Sequence, residues 1–167
     1  MKKSEKNIGF TLIELMVVAA LIGLVLMVTY PRFSGLIQGR RLMGFCGELA
    51  GTMDYIRSRA VIDGIIYHFH FDRSKRQYWV TREGEEEEEP MKGRLGSRQS
   101  FPPGIKLRKM EVERGTFGRS APSIRFYPRG SADEALIYLE TEKGDRASIW
   151  VKPFTGRSEV YNYFFRG

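Results

Sequence analysis

Cysteine is nearly absent from this chain of 167 residues: Cys46 stands alone. A single thiol excludes an internal disulfide framework and any zinc site of the two-Cys, two-His or four-Cys kind. Histidine is almost as scarce, with only His68 and His70. No nucleophile motif, phosphate-cradling glycine loop or acid–base pair can be assembled from what remains, so the chain is not expected to be an enzyme, and no catalytic residue, cofactor or metal is assigned. Charge is missing as well, but from one stretch only. Between Phe10 and Tyr30 the sole ionisable side chain before Tyr30 itself is Glu14, whereas the part from Pro31 onward carries a net charge of +6 out of +7 for the whole chain. One end is made for lipid and the other for water.

The run from Phe10 to Tyr30, FTLIELMVVAALIGLVLMVTY, reaches roughly 30 Å as a helix, the thickness of a bilayer's hydrocarbon core. Its apolar part is longer than that of a secretory signal peptide and lacks the small-residue cleavage site at its end, so the segment is expected to stay in the mature protein as a transmembrane helix, residues 10–30. Lys2, Lys3 and Lys6 precede it, which places the N-terminus in the cytoplasm and the remainder in the cell envelope.

Glu14 is costly in such a helix and calls for a partner. The stretch KNIGFTLIEL, Lys6 to Leu15, resembles the type III leader of type IV pilins and type II secretion pseudopilins. It has a short basic leader (residues 1–9), Gly9 before the cut, Phe10 after it, and Glu14 at the fifth mature position. Pro31 falls where those proteins often place a helix-kinking proline. The resemblance implies chemistry done to this chain: a prepilin peptidase cuts between Gly9 and Phe10 and methylates the new amine of Phe10. It also implies that Glu14 serves subunit assembly, meeting the cationic N-terminus of a neighbouring subunit so that both charges are neutralised within lipid.

After Pro31 the pattern becomes amphipathic. Leu42, Cys46, Leu49, Met53, Ile56 and Ala60 recur at helical spacing, so residues 31–63 continue the helix and lay one face on a packed domain. Arg40, Glu48, Asp54 and Arg57 lie off that stripe. Gly35, Gly39, Gly44, Gly47 and Gly51 lower helix propensity between membrane and head. Cys46, on the stripe, reads as a small buried hydrophobe.

From residue 64 to 167 the period is that of strands. Ile65 to Asp72 and Gln77 to Arg82 read as a hairpin across a tight polar turn; Ile105 to Val112, Ser123 to Tyr127, Ala135 to Glu140, Ala147 to Val151 and Glu159 to Phe164 follow. With no second long helix, the expected fold is α+β: one long N-terminal helix packed on an antiparallel β-rich head. The order SIRFYPRG, ALIYLE, ASIWVKPFTGRSEV resembles the carboxyl half of the GspH/FimT family of minor pseudopilins and minor pilins, in Phe126, Pro128, Gly130, Gly156 and Arg157. The middle of the chain, Glu83 to Ser123, matches nothing by resemblance.

Two further clusters invite chemistry. His68, His70 and Asp72 alternate along one strand and imitate a two-His, one-carboxylate metal site, but Tyr67, Phe69 and Phe71 alternate oppositely toward the core and leave the histidines on solvent, too far apart to close on one ion unaided. Glu85 to Glu89 lacks the spaced Asp, Asn and Gly of a calcium loop and, with Pro90, Gly93 and Gly96, marks residues 83–100 as a mobile loop. The cations Arg94, Arg98, Lys106, Arg108, Lys109, Arg114 and Arg119 interleave with acids and read as an ordinary solvated surface, so nucleic acid is not an expected partner. Tyr161, Tyr163 and Phe164 are strand and core candidates, and Phe165 is free to cover a neighbouring subunit.

Taken with the leader, the resemblance implies a minor pseudopilin of a type II secretion system, inserted in the inner membrane with a periplasmic head and incorporated in a pseudopilus. Its partners would be other major and minor pseudopilins, the peptidase, the inner-membrane assembly platform and membrane lipid. The alternative is a FimT-like minor pilin of a type IV pilus engaged in assembly or DNA uptake.

Overall fold

The computed structural model describes residues 11–85, 87–113 and 122–165, the side chains of residues 28–37 excepted. The chain divides into two compact units, Met1–Ile37 and Gln38–Gly167. A single helix, α1, is assigned over Leu12–Asp63. Its amino end has an identifiable start signal: Thr11 Oγ1 accepts the Glu14 N–H at 3.3 Å, and Glu14 lies three residues on, the Thr-x-x-Glu order of a capping box. Pro31 lies inside α1, but its side chain and any bend there lie outside the described residues.

In the first unit every described side chain from Thr11 to Met27 is exposed, although Glu14 and Thr11 alone among them are polar. No helix among the described residues is long and apolar enough to cross a membrane. The described side chains of the apolar run stop at Met27, so the expected span Phe10 to Tyr30 extends past them at both ends.

In the second unit α1 ends at Asp63 and Gly64, at φ 69°, reverses the chain where a Cβ would be strained. All six stripe residues from Leu42 to Ala60 are buried, together with Phe45. Burial of each large member stabilises by about 1.5–3 kcal/mol. Phe45 carries the helix into an aromatic cluster, its ring 5.2 Å from Phe101 and 6.1 Å from Tyr78.

Two antiparallel sheets complete the head. The first contains β1 (Tyr67–Asp72), β2 (Gln77–Glu83), β3 (Glu88–Pro90), β4 (Gln99–Ser100) and β6 (Ser123–Phe126), in the order β3-β2-β1-β6, with β4 also on β2. The second runs β5 (Ile105–Val112), β7 (Ala135–Thr141), β8 (Arg146–Val151) and β9 (Ser158–Tyr161). The hairpin read from sequence forms with Phe69 opposite Val80 and His70 opposite Trp79. In β7 the inward residues Ala135, Ile137, Leu139 and Thr141 alternate with half-buried ones, as a one-sided sheet requires. A bulge between Leu107 and Lys109 in β5 shifts the inward phase from Ile105 and Leu107 to Met110 and Val112.

The structure corrects the reading of 83–100 as a loop. Within it β3 pairs with β2, a single 3-10 turn spans Arg94–Gly96, and β4 pairs with β2 again. Met91 is buried in the core and its N–H donates to the Val80 carbonyl at 3.1 Å. One buried methionine and a few ladder bonds outweigh the repulsion among glutamates that are mostly exposed to water.

Candidate functional site

Three places bring sequence-marked residues together. The first is the start of α1. Gly9 and Phe10 lie outside the described residues. Glu14 lies in the first helical turn, exposed, where the partial positive charge of the helix N-terminus favours a carboxylate. Thr11, which fixes this geometry, was not singled out from sequence; its three-residue spacing to Glu14 was the available signal.

The second place is a joint between two turns and the helix. Gly130, at φ 84°, closes the turn after β6, where its N–H donates to the Tyr127 carbonyl at 2.9 Å. Gly156, at φ 59°, closes the turn between β8 and β9. The turns touch: a Cβ on Gly156 would fall 2.6 Å from the Gly130 carbonyl oxygen and 2.7 Å from Arg57 Cδ, and the Ala132 N–H donates to the Pro153 carbonyl at 2.9 Å. Asp54 on α1 accepts the Ser158 N–H at 3.2 Å. The Phe-x-Pro-x-Gly and Gly-Arg features thus converge on one helix face and do the work of packing. Arg157 is exposed beside them.

The third is the outer face of the first sheet, where the expectation of solvent-facing histidines fails. Tyr67, Phe69 and Phe71 do face the core, but His70 is buried and His68 half-buried, because β3 brings Glu88 over them. His70 Nε2 lies 2.7 Å from Thr81 Oγ1 and 3.0 Å from Glu88 Oε2, while His68 Nδ1 lies 3.4 Å from Glu88 Oε1. The Thr81 hydroxyl donates to Glu88 Oε2 at 2.7 Å. Trp79 stacks on His70 with ring centroids 5.1 Å apart, and the Arg98 guanidinium lies over the indole, 4.2 Å from its centroid. Burial pushes the His68 imidazole below its usual value, against the attraction of Glu88 and Glu83. Burial opposes ionisation of Glu88, yet the Thr81 hydrogen bond and the two imidazoles hold its carboxyl below the usual range. Asp72 takes no part; it turns to Ser74 and the Lys75 N–H at the hairpin end. No group of three or more His, Cys, Asp or Glu side chains among the described residues is arranged to hold a metal ion.

Elsewhere the cations are met by acids: Lys106 by Glu142, Arg108 by Glu140 at 2.9 Å, Lys109 by Glu111. Arg114 and Arg119 lie outside the described residues. Phe165 does not stand free. It stacks on Trp150 and Tyr161 of its own second sheet, and its N–H donates to Ser148 Oγ at 3.0 Å. Cys46 is fully buried, and that burial pushes its thiol up to about 12, which leaves it unreactive.

Residues 6–30 match the family model of the prokaryotic N-terminal methylation motif. Among solved structures, the minor pseudopilin EpsH from the Type 2 Secretion System of Vibrio cholerae superposes with a TM-score of 0.61 at 9% identity, covering 76% of this chain and 99% of that one. The fold is that of a minor pseudopilin. A crystal structure of the same Vibrio cholerae pseudopilin superposes with a TM-score of 0.55 at 10% identity, over 73% of this chain and 94% of that one. No curated protein sequence matches the chain. Such low identity carries the pseudopilin fold without its contacts. A long helix packed on antiparallel sheets is what the sequence predicts, and the superpositions agree with it.

Proposed function

We propose that this chain is a minor pseudopilin of a type II secretion system, a structural subunit of the envelope pseudopilus that drives protein export. The observation that carries the reading is the union in one chain of a methylation-type leader with the EpsH fold. The exposed apolar surface from Leu12 to Met27 supports it, since so much apolar helix needs lipid or neighbouring helices around it. In this reading residues 10–30 anchor the chain in the inner membrane and Gly9–Phe10 is the cleavage site. The methylated amine of Phe10 then faces the Glu14 carboxylate of a neighbouring subunit, and Pro31 is the bending point. The head works by contact rather than catalysis. Its partners are other pseudopilins, the prepilin peptidase and the assembly platform.

Intact mass and N-terminal sequencing of protein recovered from its native host test this reading. The expected product has lost Met1 to Gly9, three lysines and one glutamate among them, and begins with a methylated Phe10. An intact leader in assembled filaments overturns it.

A further inference from the structure

The outer face of the first sheet plays no part in the proposed anchoring and assembly, yet it contains a buried histidine and a shared carboxylate. Glu88 and Glu83 are directly opposite each other in the β2–β3 ladder, a placement that is unfavourable for like charges. Glu88 is compensated by reaching back over β2 to Thr81, His70 and His68. That reach connects β3, which holds the end of the glutamate run, to the middle of the sheet. We propose that His68, His70 and Glu88 form an acid-sensitive clasp, which holds β3 on the sheet at neutral pH and releases it in mild acid.

The argument rests on charge matching. At neutral pH the Glu88 carboxylate accepts the Thr81 hydroxyl, and His70 presents an Nε2–H to Thr81 Oγ1 and Glu88 Oε2. Two imidazoles thus share one carboxylate, with their rings stacked at 6.0 Å between centroids. The first proton taken up is matched by Glu88. The second gives two parallel imidazolium rings and one anion, beside the Arg125 guanidinium on β6. The other acids facing His68 are Asp133 and Glu83. Asp133 is already bound by Arg125 Nε at 2.8 Å and by the Tyr127 hydroxyl at 2.9 Å. Glu83 is exposed at the end of β2, where water screens it. His70 is confined further by the Trp79 ring, over which the Arg98 guanidinium also lies. A buried second charge therefore leaves only by opening the edge of the sheet.

The sign follows. A histidine held below its ordinary value of 6.5 in the fold leaves the fold binding fewer protons than the open state, so closure is full above that value and weakens as pH falls through it. Glu88, held below its ordinary 4.5, acts in the same direction at lower pH.

The test is hydrogen exchange by mass spectrometry on the full chain in detergent, corrected for intrinsic rates, between about pH 7.5 and about pH 5. The reporters are the Gly84 amide, which closes the turn between β2 and β3 on the Glu87 carbonyl, and the Met91 amide, which ties the end of β3 to the Val80 carbonyl of β2. Their protection is expected to fall by about tenfold, the change that one linked proton gives per pH unit, while β7 and β8 amides hold theirs. In the double variant His68→Gln/His70→Gln the fall disappears, and in Glu88→Gln protection is already low at neutral pH. If the double variant loses protection in β7 and β8 as well, the single His68→Gln decides, by moving the fall to lower pH or abolishing it. A wild-type chain without the fall, or the same fall in the histidine variants, overturns the clasp.

Discussion

Gly156→Ala is the sharpest test of the joint that holds the two turns to the helix. The residue sits at φ 59°, where an L side chain costs about 1–2 kcal/mol. Its new Cβ would also lie 2.6 Å from the Gly130 carbonyl oxygen and 2.7 Å from Arg57 Cδ. The arginine stem, met at Cδ and Cγ, can yield only in part and a backbone carbonyl in a closed turn cannot, so overpacking adds about 1–3 kcal/mol. Gly144→Ala is the control for backbone strain alone: at φ 92° it is at least as unfavourable for an L side chain, with nothing within 4 Å of the added carbon. For a domain of this size each kcal/mol lowers Tm by about 3–5 °C, so Gly156→Ala should lose about 10 °C or more and Gly144→Ala about 5 °C. Thermal unfolding of the full chain in detergent, followed by tryptophan emission, reads both. Adding Arg57→Ala to Gly156→Ala should recover part of the loss, because it removes one of the two clashing atoms. Equal losses in the two glycine variants, with no recovery, would refute the close approach of the turns.

Other outcomes follow from the same structure. A truncation beginning at Gly39 should be a soluble, folded monomer, since the buried stripe from Leu42 stays with the head; sedimentation and circular dichroism check it, and aggregation would count against that packing. Cys46 should resist maleimide labelling in the native state and react fully on denaturation, in keeping with a buried thiol raised to about 12. Glu14→Ala should leave insertion and cleavage intact while incorporation into filaments fails, as scored by co-purification with other subunits; wild-type incorporation would show the charge pairing to be dispensable. The purified chain should bind duplex DNA no tighter than about 10⁻⁴ M at physiological salt. Titration at several salt concentrations decides, and micromolar binding that weakens on Arg157→Ala would favour the DNA-uptake pilin.

The helical stripe and the strands were legible in the sequence because each element declares its own period. Leu42 to Ala60 repeats every three to four residues, and all six members are buried. Tyr67, Phe69 and Phe71 repeat every two and face the core. Even the bulge in β5 has a trace, since Ile105, Leu107, Met110 and Val112 break the two-residue period where the ladder slips. The methylation-type motif was legible for another reason: its signal lies in adjacent residues, 6–30, and needs no partner distant in sequence.

What only the tertiary structure decided depends on partners distant in sequence. Three residues of glutamate and proline have no preference for a strand, and β3 exists because β2 offers a free edge and the core accepts Met91. That pairing, in turn, takes His70 out of solvent and gives it Glu88. Phe165 likewise finds its place only once β8 and β9 bring Trp150 and Tyr161 side by side. Gly130 and Gly156 are 26 residues apart, and nothing local to either shows that one would be packed against the other's carbonyl. Periodicity in a sequence reports which face of an element is apolar; it carries no information on which element will cover the polar face, because that depends on contacts that form only after the chain has closed on itself.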